Sequence, residues 1–272
     1  MIIPGICSVT LKHISAEEVI AFMVSNQLQA VEWWAGGHVL PGDIARATEV
    51  ARLTQQAGLR TSSYGSYYRV GVSETDGMPF AGVLASAAAL GAPTIRVWAG
   101  TKNAEAADAA WVNQVIRDTN RIAFLAAQKG VSITFEFHGG TLTNTHSNAH
   151  RFAALVPHSN VFFSWQPPHG FSLAHALVGL EGLLPRLSTL HLYHWTIGSY
   201  EKNLFNDSER SPVWPTDYYR HPLADGRDRM QAYFKRVRST GRDHCALLEF
   251  VRDDTIEQAQ ADAAELRSLC QV

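Results

Sequence analysis

The chain has 272 residues, 46% of them hydrophobic, and its 23 Lys+Arg nearly balance 25 Asp+Glu for a net charge of −2. Without a block of like charge, that balance argues against a general nucleic-acid binder, which would show a basic stripe. Cys7, Cys245 and Cys270 are scattered without metal-like spacing, which points to a reduced, cytoplasmic setting. The opening MIIPGICSVT lacks the pattern of a signal peptide, and the most apolar long run, residues 80–93, is too short to span a bilayer.

Along the chain, short β-branched or aromatic runs alternate with amphipathic stretches. IIPGICS, QAVEWW, LRTSSYG, TIRVWAG, SITFEFH, NVFFSWQ, STLHLYH and CALLEFV read as strands. Helical periodicity falls between and after them, over 15–26, 43–57, 78–90, 107–129, 145–156, 172–183, 226–240 and 255–271. Ser15 and Asp43 are candidate N-caps, and Gly58, Gly91, Gly130 and Gly241 are helix stops. Eight βα units in series predict an α/β fold with a parallel sheet that closes into a single (β/α)8 TIM barrel, one domain over residues 1–272. A doubly wound sheet would carry a glycine-rich phosphate turn after the first strand, which GICSVTLKH does not supply.

SITFEFHGG raises a sharper question, because it sets Glu136 inside an apolar strand. An ionised carboxylate buried alone costs several kcal/mol, so something must meet it. Alternation puts Thr134, Glu136 and His138 on the inward face of strand 5, and Phe162, Ser164 and Gln166 on that of strand 6. Strand 7 turns His191 inward; in strand 8, Leu247 and Glu249 point in while Leu248 and Phe250 point out. Glu136, Gln166, His191 and Glu249 therefore converge at the C-terminal ends of four consecutive strands, a donor set that suits a divalent metal. Alternatives stay open for each residue alone: an inward histidine is as readily a hydrogen-bonded core residue, and Arg96 is a plausible ion-pair partner for Glu136.

The stretches VEWWAGGHVLPGD, SSYGSYYRVG, IRVWAG, FEFHGGTLTNT, LHLYH and LLEF resemble the sugar phosphate isomerase/epimerase family of the xylose isomerase-like TIM-barrel superfamily. The resemblance implies one divalent ion per subunit (Mn, Mg, Co or Zn), held by Glu136, Gln166, His191 and Glu249. It also implies a metal-dependent sugar or sugar-phosphate isomerase or epimerase in carbohydrate metabolism, with Glu136 and Glu249 as the acid/base pair; a related lyase or dehydratase is compatible. His169, Arg96, His38, His138, Asn144 and Trp195 are the substrate-binding candidates. Two departures stand out: QPPH places Gln166 where the family has aspartate, and His191-Leu192-Tyr193-His194 replaces His-x-Lys-Asp.

The competing readings are an AP endonuclease IV-like phosphoesterase, which needs more His and Asp ligands and a basic surface, and a non-catalytic carbohydrate-binding barrel with a degenerate metal site. Expected partners are a small sugar or sugar phosphate, with neither nucleic acid nor membrane; self-association into a homo-oligomer is left open. The segment 195–226 is long and aromatic, with Trp195, Tyr200, Phe205, Trp214, Tyr218 and Tyr219, and is expected to form a lid or a subunit contact.

Overall fold

The computed structural model describes residues 1–197 and 218–271. Eight parallel strands close into a barrel: β1 (Ile2–Cys7), β2 (Ala30–Trp34), β3 (Arg60–Arg69), β4 (Thr94–Trp98), β5 (Ser132–Phe135), β6 (Val161–Trp165), β7 (Leu187–Leu192) and, after a separate hairpin, β10 (His244–Leu248). That hairpin pairs β8 (His194–Ile197) antiparallel with β9 (Tyr218–His221). Helices α1 (Ala16–Ser25), α2 (Ile44–Gln56), α3 (Phe80–Ala89), α4 (Ala109–Ala127), α5 (His146–Leu155), α6 (Leu173–Leu183), α7 (Arg227–Arg238) and α8 (Ile256–Gln271) follow the barrel strands.

Local chemistry explains the boundaries. Ser15 and Glu18 form a reciprocal capping box at the start of α1, and Asp43 accepts the Arg46 amide at 3.0 Å to open α2. Gly58, Gly91, Gly130 and Gly241 all take positive φ between helix and strand, where a side chain would be strained.

The alternation expected of strands 5 to 8 holds on their outer faces. Ile133, Phe135, Phe163, Trp165, Leu190, Leu192 and Leu248 join the large core between barrel and helices. A smaller apolar cluster of Ile3, Cys7, Val9, Ala30 and Leu247 fills the barrel interior. Gly5 belongs to this inner layer by necessity, since a Cβ there would lie 2.1 Å from the Ala30 carbonyl oxygen.

Three local readings need correction. Glu136, Gln166 and Glu249 each lie one residue past the ends of β5, β6 and β10 rather than within them; the Glu136 amide still bonds the Val97 carbonyl and the Glu249 amide the Leu192 carbonyl, both at 3.0 Å, which continues those ladders by one residue. Phe250, expected to point outward, packs against the inner cluster instead, because β10 ends at Leu248 and the backbone turns through φ +54° at Phe250. β3 runs four residues longer than LRTSSYG, with a shift of register between Gly65 and Tyr68. Of the segment expected to be a lid or contact, residues 198–217, including Tyr200, Phe205 and Trp214, lie outside the described residues; its two ends form the β8–β9 hairpin.

Candidate active site at the barrel mouth

Arg96, on β4, is 2% exposed and stands between two glutamates. Its Nε donates to Glu32 Oε1 at 2.8 Å, and its Nη1 donates to Glu136 Oε2, which also accepts the Trp98 indole N–H. This is what meets Glu136. Burial alone would raise the pKa of Glu136, but Arg96, followed by His138 and His191, holds it below the usual carboxylate range. Glu32 is likewise shifted down against burial by Arg96 and His191, and its Oε2 accepts the Ser63 hydroxyl at 2.7 Å. Losing one partner of such a buried pair costs about 3–5 kcal/mol.

His191 is fully buried among carboxylates: Nδ1 lies 3.2 Å from Glu249 Oε2 and 3.9 Å from Glu136 Oε1, and Nε2 lies 3.5 Å from Glu32 Oε2. Burial opposes charge on the ring, yet Cys7, Glu249 and Glu32 raise its pKa well above the ordinary value. Glu249 is fixed from both sides: its amide bonds the Leu192 carbonyl at 3.0 Å, and Thr10 bonds the backbone of Leu248 and Phe250. Gln166 donates its amide N–H to the Phe137 carbonyl at 2.6 Å, which leaves Oε1 buried without a hydrogen-bond partner.

Glu136, Gln166 and Glu249 face one cavity of about 150 Å³. Its walls are aromatic: Tyr67 and Trp98 on one side, Tyr193, Trp195 and Phe250 on the other, with His138 at the edge. Tyr67 reaches it through φ +56° at the β3 irregularity, and Trp195 through the hairpin, stacked on Tyr218 at 5.1 Å.

Of the sequence-derived residues, Glu136, Gln166, Glu249, Arg96, His138 and Trp195 line the cavity, with His191 directly beneath. His169 stacks against Trp195 at 4.9 Å, and burial lowers its pKa to about 4. His38 is held away from the cavity by Ser8 Oγ and the Ile14 carbonyl, both at 2.9 Å. Asn144 bonds Glu105 and Asn148 rather than facing the cavity. Glu32, Tyr67, Trp98 and Tyr193 were not among the candidates. Glu32 was accessible to the same alternation, lying between the outward Val31 and Trp33 of AVEWW; the aromatic walls carry no such signal.

The donors present fit a divalent ion. Ligand atoms of Glu136, His191 and Glu249 lie within 4.8 Å of one another. Gln166 Oε1 and both nitrogens of His191 complete no hydrogen bond. Three buried carboxylates (Glu32, Glu136 and Glu249) outnumber the Arg96 guanidinium and the His191 ring between them, so the site keeps negative charge that a cation would balance.

A profile of the xylose isomerase-like TIM barrel matches residues 20–270. The chain belongs to that family. In fold the chain is similar to a protein described as the probable 3-DHS dehydratase AsbF from Bacillus anthracis: 18% identity over 98% of this chain and 99% of that one, TM-score 0.77. A 3-keto-D-glucoside 4-epimerase from E. coli, YcjR, shares 13% identity over all of both chains, TM-score 0.68. A xylose isomerase-like TIM barrel protein from Mycobacterium smegmatis in complex with magnesium shares 14% over 94% of this chain and 88% of that one, TM-score 0.64. No curated protein sequence matches the chain.

Proposed function

We propose that this barrel is a divalent-metal-dependent isomerase or epimerase of a sugar or sugar phosphate, moving a proton next to a carbonyl. The observation that carries this reading is the convergence of Glu136, His191 and Glu249 beneath one cavity, with the unpartnered Gln166 Oε1 beside them. These four residues would hold the ion, which when bound supplies Lewis-acid stabilisation of negative charge on substrate oxygens. The similarity in fold to an epimerase acting on a keto-glucoside, and to a magnesium complex, supports the reading.

The two glutamates divide the proton transfer. Glu136 is kept ionised by Arg96 and Trp98, which lowers its basicity. Glu249, 3.2 Å from His191 Nδ1 and on the cavity wall, removes the proton from the carbon beside the carbonyl. Glu249 then carries that proton to the neighbouring carbon, and the ionised Glu136 is the base for a proton on the opposite face. Arg96, engaged by Glu32 and Glu136, orients Glu136 rather than the substrate. Tyr67, Trp98, Tyr193 and Trp195 offer flat walls to the C–H faces of a sugar and exclude water. His138 is placed to bond a hydroxyl, and His169, stacked behind Trp195, sets that wall.

The fold similarity to a probable dehydratase favours a second reading, in which the same proton removal is followed by loss of hydroxide from the adjacent carbon. Product analysis separates the two. The test is metal analysis of the purified protein, then a panel of ketoses, aldoses and their phosphates in D2O. One divalent ion per chain and deuterium at the carbon beside the carbonyl are expected. Glu249→Gln should reduce wash-in by about 10²-fold or more while the far-UV spectrum is unchanged. A protein that binds sugars without metal or wash-in would instead be a carbohydrate-binding barrel.

A further inference from the structure

His191 has a second set of neighbours that the proposed reaction does not use. Cys7 and Glu32 are direct register partners on β1 and β2, so their side chains enter the barrel side by side. With His191 on β7, their donor atoms (a thiol sulfur, a carboxylate oxygen and an imidazole nitrogen) lie within 4.8 Å of one another. All three are buried, at 1%, 2% and 0% exposure. His191 Nε2, fully buried, is aimed into the cluster: it faces Glu32 Oε2 at 3.5 Å, an ion-pair contact too long to complete a hydrogen bond. A tetrahedral ion with bonds of about 2.0–2.3 Å spaces its ligand atoms roughly 3.5 Å apart, which this pair already matches.

We propose that Cys7, Glu32 and His191 form a second cation site, selective for thiophilic divalent ions such as zinc or cadmium, that competes with the mouth site for His191. The mixed sulfur, nitrogen and oxygen set suits zinc or cadmium, whereas manganese and magnesium prefer the oxygen-rich mouth. Binding replaces the Cys7 S–H bond and the His191 Nε2–H bond by bonds to the metal and releases both protons to solvent, with no change of oxidation state. A neutral imidazole has one lone pair, so His191 serves one ion at a time. The competition rests on the functional reading above; the Cys7 site does not.

Titration of Cd²⁺ into the chelator-stripped full chain, read by ultraviolet sulfur-to-cadmium charge transfer, tests the site. One equivalent should produce the band, and Cys245→Ser/Cys270→Ser, which leaves Cys7 as the sole thiol of the chain's three, should retain it. Cys7→Ser should lose the band and bind Cd²⁺ at least about tenfold more weakly, with Mn²⁺ affinity unchanged within about twofold. Saturating Mn²⁺ should weaken Cd²⁺ binding in wild type. Absence of the band, its survival in Cys7→Ser, or its loss in the double variant overturns the site; simultaneous binding of both ions overturns the sharing of His191. If Cys7→Ser does not fold, the double variant decides the assignment. A Cys7-dependent band in a protein that binds no Mn²⁺ would remove the functional reading and leave the cadmium site standing.

Discussion

Gln166 is the neutral member of the proposed ligand set. Its amide N–H is anchored on the Phe137 carbonyl at 2.6 Å, its Oε1 is buried without a hydrogen-bond partner, and the residue lines the cavity. An aspartate here would add charge for a hard ion but lose the anchor and crowd further negative charge against Glu136 and Glu249. Gln166→Asp is therefore expected to move two measurements in opposite senses. Mn²⁺ affinity by calorimetry should rise on the order of tenfold, about 1.4 kcal/mol, from the added carboxylate. Metal-free stability by urea unfolding should fall by about 1–3 kcal/mol from the unpaired carbonyl and like-charge repulsion. Unchanged Mn²⁺ affinity would place the ion away from Gln166.

At the scale of the element, β3 is the strand that bends to the site. Its register shifts between Gly65 and Tyr68, and the added turn at Tyr67 delivers a ring whose centroid lies 5.5 Å from the Arg96 guanidinium carbon. Gly65 makes the close approach possible: a Cβ there would stand 2.7 Å from Arg96 Nη2 and 2.8 Å from Glu32 Oε1. Gly65→Ala must displace a buried ion pair rather than a flexible surface side chain. The expected cost is about 1–3 kcal/mol in urea unfolding, with weakened Mn²⁺ binding because Arg96 no longer holds Glu136 in place. Full stability together with full metal affinity would show that the Arg96 cluster tolerates movement and does not position Glu136.

Across the whole molecule, buried histidines make stability depend on pH. His146 is 5% exposed, neither ring nitrogen completes a hydrogen bond, and it packs against a tilted Phe137 ring at 4.7 Å and stacks on His175 at 5.7 Å. Burial, then the neighbouring His175 and His150, lower its pKa from 6.5 to about 3. The folded pKa lies below the unfolded one, so its contribution is complete above pH 6.5 and is lost as pH falls toward 3. Within that window one such group changes stability by up to about 1.4 kcal/mol per pH unit. His194, lowered to about 4 by burial and His221, acts in the same direction. His191, raised by Cys7, Glu249 and Glu32, acts oppositely and only above pH 6.5. Urea midpoints between pH 7 and 4 should therefore fall on acidification, and His146→Phe should flatten the slope by roughly one proton. An unchanged slope in that variant would mean His146 is protonated in the folded state.

Residues 1–197 and 218–271 divide cleanly between what local sequence determined and what only the tertiary structure decided. Helix boundaries were legible because caps and glycine exits act within a turn of the backbone, as at Ser15 and Gly58. The inward placing of Glu136, Gln166, His191 and Glu249 was legible because a strand alternates by geometry alone. The partners of those side chains were not. That Arg96 bridges Glu32 and Glu136, 64 and 40 residues away, follows from barrel closure. So does the meeting of Cys7 and His191, on strands separated in the barrel by β10. The aromatic walls depend on backbone departures from the regular strand at Tyr67 and Phe250, and on a hairpin whose strands are 20 residues apart in sequence. Local propensity does not encode these because positive φ at a bulky residue is imposed by its surroundings, and a buried charge is settled by whichever opposite charge closure brings within reach.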